Sequence, residues 1–325
     1  MRRLLFFLFF INLFSQLYGQ HFTIASYNCE NAFDSIHDEG KDDYEYLPQG
    51  QRRWSRKRMY AKLKNIGKVI LSIDSIRPVD IVCLEEVEND TVMTYLTQRT
   101  ALASIGYKYL ITSSLDDRGC DLAILYSPFT FHLLSHESIR PKINIHTRDV
   151  LHATGIIPSG DTLDVFAVHL PSKLKGKKSE AYRTKIASQI MGKIDSITLV
   201  RPNAYIVVLG DFNDGPTSKV VVKSFGRLNN LMTKQDHSYK YHGMWDCIDQ
   251  ILVNDNVLSK VRMRGVATRN FMLEKDKTYS GKMPHRTFRG YKYDAEGFSD
   301  HLPVFVKIDS NPHQRAQDDS THHDQ

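Results

Sequence analysis

The sequence has few cysteines, and none of them has the spacing of a zinc site. Its 325 residues include four cysteines, and no two of them form a Cys-x-x-Cys pair. Sulfur-based metal sites use such closely spaced pairs, so a metal bound by this chain should have oxygen ligands. Three of the four cysteines lie in or beside apolar, strand-like runs. Buried free thiols are therefore predicted, and not disulfides.

Long apolar runs are also missing after residue 20. The one at the start follows Arg2 and Arg3, is rich in Leu and Phe, and closes at the small residue Gly19. This order predicts a signal peptide, residues 1–19, and an exported protein, secreted or periplasmic, without membrane contact after cleavage. The run is short for a membrane span, and an uncleaved anchor is the alternative. No cysteine follows it directly, so a lipid anchor has no obvious attachment point.

Internal repeats and interior linkers are absent as well. We therefore expect one domain, residues 20–309, followed by a polar tail, residues 310–325, that is disordered. The formal net charge of +6 suits a polyanionic or phosphorylated partner without requiring one. No stable protein partner is implied, and we expect a monomer.

The apolar pattern predicts an α/β protein. Helical spacing occurs at residues 54–70, 90–102 and 179–197, and in the first of these helices we expect the basic residues to form the outer face. Strands are predicted at residues 21–28, 79–84, 107–112, 121–126, 129–134, 148–157, 163–170, 204–209, 247–253, 261–268 and 304–308. Residues 270–298, rich in Lys, Tyr and Gly, are expected to form a surface excursion.

Polar residues crowd the end of the strand predicted at residues 204–209. Asp211, Asn213 and Asp214 follow it directly. Carboxylate and carboxamide oxygens at a strand end suit a metal or a phosphate. An ordinary Asx turn is the alternative, since Asp, Asn and Gly are common turn residues.

The same arrangement recurs at other strands. Polar residues at or beside predicted strand ends are Asn28, Glu86, His169, Asp249, Asp300 and His301. Each alone has a plainer interpretation as a structural histidine, a paired carboxylate or a helix-start charge. Open α/β folds place ligands at such ends, so the repetition favours one shared cleft.

Six motifs carry a family resemblance. They are Ser-Tyr-Asn-Cys-Glu-Asn at Asn28, Leu-Glu-Glu-Val-Glu-Asn at Glu86, Val-His-Leu-Pro-Ser-Lys at His169, Gly-Asp-Phe-Asn-Asp at Asp211, Ile-Asp-Gln-Ile-Leu-Val at Asp249, and Ser-Asp-His-Leu-Pro at Asp300. In this order they resemble the endonuclease/exonuclease/phosphatase superfamily, over about residues 21–308. The resemblance implies a four-layer α/β sandwich, two mixed β-sheets packed face to face with helices outside. It also implies metal-dependent hydrolysis of a phosphate ester by water.

The resemblance assigns the metal to three residues. Glu86 resembles the principal Mg²⁺ ligand, with Asn28 and Asp300 beside it. Such a small set of oxygen ligands suits Mg²⁺, which keeps several waters, and Mn²⁺ would fit similarly. Glu85 departs from the pattern, because many members have Gln there. We expect it to add negative charge near the metal.

The resemblance also implies the catalytic roles. Asp211 resembles the carboxylate that orients and deprotonates the attacking water, and Asn213 the amide that holds water or phosphate. His301, steadied by Asp249, resembles the histidine that contacts the scissile phosphate, and His169 the second histidine. Hydrogen-bonding and cationic groups of this kind stabilise the added negative charge.

Four further residues are candidates for substrate binding. Asp121 is a candidate partner for His169 in substrate binding. Arg148 resembles a phosphate-contacting arginine, with an ion pair to Asp149 or another surface acid as the alternative. Arg183 and Arg286 are weaker candidates for substrate contact.

The leading hypothesis is an exported Mg²⁺-dependent phosphodiesterase that hydrolyses nucleic acid, as an endonuclease does. One alternative keeps the chemistry and changes the substrate to a phospholipid headgroup, as in a sphingomyelinase, or to an inositol-type phosphate monoester. A lipid enzyme should carry an exposed apolar hairpin or amphipathic anchor, and none stands out past residue 20. The other alternative, a non-catalytic binding protein, predicts broken motifs, whereas these motifs are intact.

Overall fold

The computed structural model describes residues 21–173 and 176–311. The predicted signal peptide, residues 1–19, lies outside these residues, and so does the predicted tail from residue 312 onward. The domain boundaries therefore stay a prediction. Within the part of the chain that the structure describes, no helix combines the length and apolar character needed to cross a membrane.

Two six-stranded sheets dominate the described residues. The first contains β1 (His21–Ala32), β2 (Ile81–Val87), β3 (Lys108–Ile111), β4 (Asp121–Tyr126), β13 (Val261–Val266) and β18 (Val304–Asp309), in the order β13-β18-β1-β2-β4-β3. The second contains β5 (His132–Ile139), β6 (Val150–Ile156), β7 (Thr162–His169), β8 (Tyr205–Asp211), β9 (Asn229–Asn230) and β12 (Asp249–Val253), in the order β5-β6-β7-β8-β12-β9. Pairs β1–β2 and β7–β8 are parallel, and the other pairs in these sheets are antiparallel, so both sheets are mixed.

Helices and three small hairpins complete the architecture. The α-helices among the described residues are α1 (Arg56–Ile73), α2 (Asp90–Arg99), α3 (Lys177–Val200) and the single-turn α4 (Asp255–Leu258), and short 3-10 or π turns lie at Tyr44–Tyr46, Ala101–Ser104, Val220–Ser224 and Asn270–Met272. The hairpins pair β10 (Tyr239–Tyr241) with β11 (Met244–Asp246), β14 (Leu273–Lys275) with β15 (Lys282–Pro284), and β16 (Phe288–Arg289) with β17 (Lys292–Tyr293).

Alternation along the strands creates the layers. In β8, Val207 and Leu209 are buried in the core between the two sheets, whereas Ile206 and Val208 are buried against α3. The outer face of the first sheet packs in the same way against α1 and α2. Each fully buried Val, Leu or Ile side chain contributes about 1.5–3 kcal/mol. The predicted four-layer α/β sandwich is confirmed, and all four cysteines are free and buried, as predicted.

Strand register places three polar residues on one rung of the second sheet. His169 of β7 pairs with Asp211 of β8, and Asp211 pairs with Asp249 of β12. Gly210 permits this close approach: its φ is +146°, and a Cβ atom there would lie 1.8 Å from the carbonyl oxygen of Val168. The rung lies at the carboxyl ends of β7 and β8, the edge of a sheet where ligands bind in α/β folds.

A β-bulge presents Glu86 at the matching edge of the first sheet. The register shifts between Glu85 and Val87 in the pairings of β2 with both of its neighbours. Glu86 lies in this bulge with φ +58°, while Glu85 stays buried within the sheet. A bulge changes the direction in which a side chain points, because it interrupts the regular alternation of the strand. Here it directs Glu86 into the cleft.

The segment 270–298 is more than a surface excursion, so that prediction is wrong in part. Met272, Phe288 and Phe298 are buried in the core on the outer face of the first sheet. The ring of Phe288 lies 5.6 Å from that of Trp54. The large apolar side chains of this polar segment pack in one core with residues of α1 and β1. The sequence did not indicate this packing, because the segment is far from α1 and β1 along the chain.

Lys62 also differs from expectation, because it does not lie on the outer face of α1. Its side chain is 1 % exposed, and Nζ donates hydrogen bonds to the carbonyl oxygen of Phe298 (2.6 Å) and the hydroxyl of Thr287 (2.7 Å). Glu30 Oε2 lies 3.6 Å from Nζ and supplies the opposite charge. The buried cation therefore ties α1 to the segment 270–298.

Replacing Lys62 with Met is expected to destabilise the protein by roughly 3 kcal/mol, because it removes one of the two cations, Lys62 and Arg286, that face the buried Glu30 carboxylate. Urea unfolding measures the free energy of unfolding directly. Lys64→Met is the matched control, since Lys64 is exposed on the same helix. Equal stability of the two variants would contradict the role given to Lys62.

Candidate active site

The two sheet edges enclose a cavity of about 490 Å³. Its acidic and amide lining residues are Glu86, Asp211, Asn213 and Asp300. Its basic lining residues are Arg118, Arg148, His169 and His301. Ser172, Tyr239 and Ile248 complete the wall. Most of the predicted site residues therefore meet in one cleft, whereas Asn28, Asp121, Asp249 and Arg286 are not part of its lining.

His301 and Asp249 form a buried hydrogen-bonded pair. His301 Nδ1 lies 2.9 Å from Asp249 Oδ2, and Ser238 donates its hydroxyl to the same carboxylate. Burial alone would lower the pKa of His301, but Asp249, Asp211 and Asp300 outweigh it and raise the pKa well above its usual value. The raised pKa favours the imidazolium form of His301, whose Nε2, 3.9 Å from Asp211 Oδ2, can donate a hydrogen bond to an anion.

His169 is held in the opposite state. Burial, together with the nearby cations Arg148 and Arg118, lowers its pKa well below the usual value, which favours the neutral ring. Its Nε2 lies 3.5 Å from Asp211 Oδ2 and 4.0 Å from Glu86 Oε1. The cleft thus contains one neutral and one charged imidazole.

The predicted pairing of His169 with Asp121 is wrong. His169 Nδ1 is buried without a hydrogen-bond partner among the described residues. Asp121 instead accepts hydrogen bonds from the hydroxyl of Thr112 and the backbone N–H of Ser114 (2.9 Å). Its carboxylate is occupied by the loop beside β3, which explains why it does not reach the histidine.

Asp211 lies at the centre of the site and is 2 % exposed. Burial is the main reason that its pKa is raised to about 7. Oδ1 accepts a hydrogen bond from the backbone N–H of Asn213 (2.7 Å), and Oδ2 accepts one from Nδ2 of Asn28 (3.1 Å). A fixed carboxylate that titrates near neutral pH is suited to general-base catalysis.

Two asparagines, Asn28 and Asn213, form hydrogen bonds that fix Asp211 and the loops beside it. Asn28 Oδ1 accepts a hydrogen bond from the backbone N–H of Glu30 (2.9 Å), so both ends of its amide have partners. Its predicted role as a metal ligand stays a prediction. Asn213, with φ +51°, donates Nδ2 to the carbonyl oxygen of Leu170 (2.9 Å), which joins the loops after β7 and β8.

Glu86 and Asp300 present carboxylates to the cleft, with side chains 16 % and 19 % exposed. Glu86 Oε2 accepts the backbone N–H of Asn31 (3.0 Å), which orients the group and leaves Oε1 on the cleft side. Two hard oxygen donors at an accessible surface fit a divalent cation that keeps part of its water shell.

A second grouping, Asp211, Asp249 and His301, offers ligand atoms within 4.8 Å of one another and is also a candidate metal site. The hydrogen bond from His301 Nδ1 to Asp249 and the raised pKa of His301 favour a protonated ring, which is a poor ligand. Glu86 and Asp300 therefore fit a metal better.

The expected extra charge from Glu85 is wrong. Glu85 is fully buried, and burial raises its pKa well above the usual value, so the neutral acid is favoured. Ser26 donates its hydroxyl to Oε1 at 2.6 Å. A neutral carboxylic acid has nearly the shape of a glutamine side chain and carries no charge.

Two arginines line the cleft beside His169. Arg148 donates to Asp116 Oδ2 and to the carbonyl oxygen of Leu170, both at 3.1 Å, and its Nε is buried without a partner among the described residues. The alternative pairing with Asp149 is wrong, because Asp149 pairs with Arg140 (3.4 Å). Arg148 thus has an acidic partner and still faces the cleft.

Arg118 and Tyr239 also line the cleft, although the sequence did not predict them as site residues. Arg118 lies in the turn before β4, and the first residue of β4 pairs with Val87 at the active-site edge. Tyr239 forms an isolated bridge with His301. The alternating residues Tyr239 and Tyr241, followed by Gly243, were a hairpin signal that could have revealed this strand.

Arg183 and Asp214 support the loops and do not line the cleft. Arg183 Nε lies 2.7 Å from Asp214 Oδ2, and Nη1 donates to the carbonyl oxygen of Pro171 (2.9 Å). Both side chains are buried. Their pairing clamps the loop after β7 to the loop after β8, so the weaker candidate Arg183 has a structural partner.

Arg286 lies behind Asp300. It donates Nε to Glu30 Oε1 (3.2 Å) and Nη2 to Asp300 Oδ2. Since Glu30 also neighbours Lys62, a chain of alternating charges runs from α1 to Asp300. Arg286 thereby orients Asp300, and its predicted contact with substrate stays a prediction.

Comparison with known proteins gives a family match and a set of similar folds. The model of the Endonuclease/Exonuclease/phosphatase family matches residues 23–310. Truncated TDP2 from Caenorhabditis elegans is 16% identical, with a TM-score of 0.56 over 89% of this chain and 98% of that one. A mannosyl-6-phosphatase from Bacteroides thetaiotaomicron is 19% identical, with a TM-score of 0.59 over 88% and 99%. D. rerio TDP2, in complex with a single-strand DNA product, is 16% identical, with a TM-score of 0.56 over 89% and 98%. No curated protein matches significantly.

Proposed function

The chain belongs to the endonuclease/exonuclease/phosphatase family and is a metal-dependent phosphoester hydrolase, and from this premise we propose that it is an exported, Mg²⁺-dependent phosphodiesterase of nucleic acid. The export proposal rests on the sequence pattern of residues 1–19. Magnesium is proposed because the accessible ligands, Glu86 and Asp300, are oxygen donors, with Mn²⁺ as a substitute. We further propose a monomer without a stable protein partner.

The observation that carries the proposed substrate is the set of cationic and aromatic side chains that line the cleft together with the carboxylates. Arg118, Arg148 and His301 supply positive charge, and the ring of Tyr239 lies 4.8 Å from that of His301. A nucleotide unit needs both kinds of partner, since phosphate contacts dominate affinity and aromatic rings stack on bases. The wall therefore suits a phosphodiester with a base beside it.

The described residues divide the chemistry between them. Asp211 takes the proton of the attacking water, and the hydrogen bonds from Asn213 and Asn28 hold it in place. Protonated His301 donates Nε2 to a phosphoryl oxygen as negative charge increases there. Glu86 and Asp300 would hold the metal, which supplies Lewis-acid polarisation of the phosphoryl group.

The cationic side of the cleft completes the site. Arg118 and Arg148 present guanidinium groups that match phosphate oxygens in geometry. Neutral His169, between Asp211 and Glu86, can donate or accept a hydrogen bond without adding charge. The charged and neutral histidines thus have different tasks on the same phosphate.

The proposed substrate is tested by incubating the chain from residue 20 onward with circular plasmid DNA, RNA, sphingomyelin and a sugar phosphate, each with Mg²⁺ and with EDTA. We expect Mg²⁺-dependent nicking of the plasmid or cleavage of RNA, and no nucleic-acid cleavage in EDTA. Arg148→Met should weaken cleavage, because a phosphate contact is lost. Turnover confined to the lipid or the sugar phosphate would overturn the nucleic-acid proposal while leaving the hydrolase intact.

A further inference from the structure

A second cavity, of about 340 Å³, lies next to the active-site cleft. It is formed by the tip of the β10–β11 hairpin, the β14–β15 hairpin and the chain from Arg286 to Gly290. Arg286 belongs to its lining and also bonds Asp300, which lines the active-site cleft. The two cavities are therefore neighbours on either side of one arginine.

A series of aromatic rings leads from the catalytic histidine into this second cavity. Tyr239, beside His301, stacks with Tyr241 at a centroid distance of 6.4 Å and an interplanar angle of 12°. The series continues through His242, whose ring lies 4.1 Å from that of Tyr241 and 6.0 Å from that of Tyr279. Tyr241 and Tyr279 are 62 % and 49 % exposed, so their faces are open to a ligand.

The turn at His242 and Gly243 determines where the hairpin tip lies. His242 and Gly243 both have positive φ, +48° and +82°, which is the two-residue turn that matches the twist of a hairpin. A Cβ atom at position 243 would lie 2.7 Å from Cβ of Tyr279, so the tip of the hairpin is seated directly on that tyrosine. The turn therefore sets the backbone position of Tyr241 and His242 and holds the hairpin tip against Tyr279.

Cations border the second cavity. Its lining contains Lys240, Lys277, Arg286 and Arg289. Lys240 pairs with Asp276 (2.8 Å), Arg289 with Glu274, and Arg286 with Glu30 and Asp300, whereas Lys277 is exposed. An exposed lysine beside tyrosine faces suits a group with both a flat ring and a phosphate.

We propose that the second cavity is a subsite for a nucleotide that flanks the scissile phosphate in single-stranded nucleic acid. Its base stacks on Tyr241 and Tyr279, and its phosphate faces Lys277 and Arg289. Bases within a duplex have their faces covered by their neighbours, so open tyrosine faces select a strand whose bases are unstacked. This inference rests on the proposed function and names the form of its substrate.

The test measures binding without turnover. Fluorescence anisotropy in EDTA compares a labelled single-stranded oligothymidine, an abasic strand of equal length and a duplex. The wild-type chain should prefer the oligothymidine to both. Tyr241→Ala combined with Tyr279→Ala should weaken its binding by roughly tenfold or more and leave the abasic strand nearly unaffected, because stacking requires a base. Tyr241→Phe keeps the ring and should retain affinity.

Phe129→Ala is the matched control. Phe129 is 83 % exposed and follows β4 at the sheet edge remote from the cleft, because β4 runs antiparallel to β2. Its removal should not change binding.

Two results would overturn the subsite: equal affinity of the wild-type chain for the base-bearing and abasic strands, or full affinity of the double alanine variant. If the wild-type chain nevertheless cleaves nucleic acid, only the subsite fails. If it neither binds nor cleaves any nucleic acid and hydrolyses the sugar phosphate or lipid instead, both the subsite and the proposed function fail.

Discussion

Asp211→Asn is expected to lower kcat by roughly 10²–10⁴-fold, the contribution typical of a positioned general base. Asparagine has nearly the same size and keeps one oxygen to accept the backbone N–H of Asn213. It cannot take a proton from water. Initial rates on the cleaved nucleic acid at saturating Mg²⁺ measure the loss, and thermal unfolding verifies that the variant is folded.

The pH profile adds a second test of the same carboxylate. Its folded-state pKa is raised to about 7, so protons inactivate it as the pH falls through that value. We expect kcat/KM of the wild-type chain to fall about tenfold per pH unit on the acid side, with the midpoint moved lower by bound metal, whose charge favours the carboxylate. Asp211→Asn should lack this limb.

Asp246→Asn serves as the control, because Asp246 is an exposed aspartate in β11 and not part of the cleft lining. It should retain wild-type kcat and the acid limb. Full activity of Asp211→Asn would contradict the assignment of the base, as would an acid limb that survives the substitution.

His301→Gln is the second large effect that we expect, with kcat lower by roughly 10²–10³-fold. The substitution removes a cation that lines the cleft and leaves Asp249 without its charged partner. KM should change less than kcat, because the negative charge that His301 stabilises increases in the transition state.

The coupling between the two groups gives His301→Gln a distinctive signature. The positive charge of His301 lowers the pKa of Asp211, so its removal should move the remaining acid limb to higher pH. His285→Gln is the control, since His285 pairs with Asp294 in the segment 270–298. A His301→Gln variant whose kcat and acid limb both match the wild type would show that the imidazolium has no part in the reaction.

The sequence could predict where the strands end and which polar residues follow them. Alternation and turn residues are local signals, and the rung of His169, Asp211 and Asp249 lies at the predicted ends. Strand pairing is not local: β1 pairs with β18, from the other end of the described chain. The two-sheet architecture therefore came from the family resemblance and not from periodicity.

What the sequence could not predict depends on contacts across long distances. Lys62 is a basic residue of an amphipathic helix and is therefore expected on its outer face, but its partner Thr287 lies 225 residues away. The raised pKa of Glu85 follows from its burial, which no local pattern reports. Arg118 enters the cleft only because β4 runs antiparallel to β2, so that the turn before it reaches the active-site edge.

The left-handed backbone conformation at Glu86 and Asn213 lowers the stability of the fold, whereas their side chains are needed for activity. A positive φ costs most L-residues about 1–2 kcal/mol and asparagine less, whereas glycine adopts it freely. Selection for thermal tolerance alone would therefore favour glycine at these two positions, whereas selection for turnover retains the side chains. A directed-evolution campaign on this enzyme should hold both codons constant, because the most stabilising single changes there would also remove a carboxylate or an amide from the cleft.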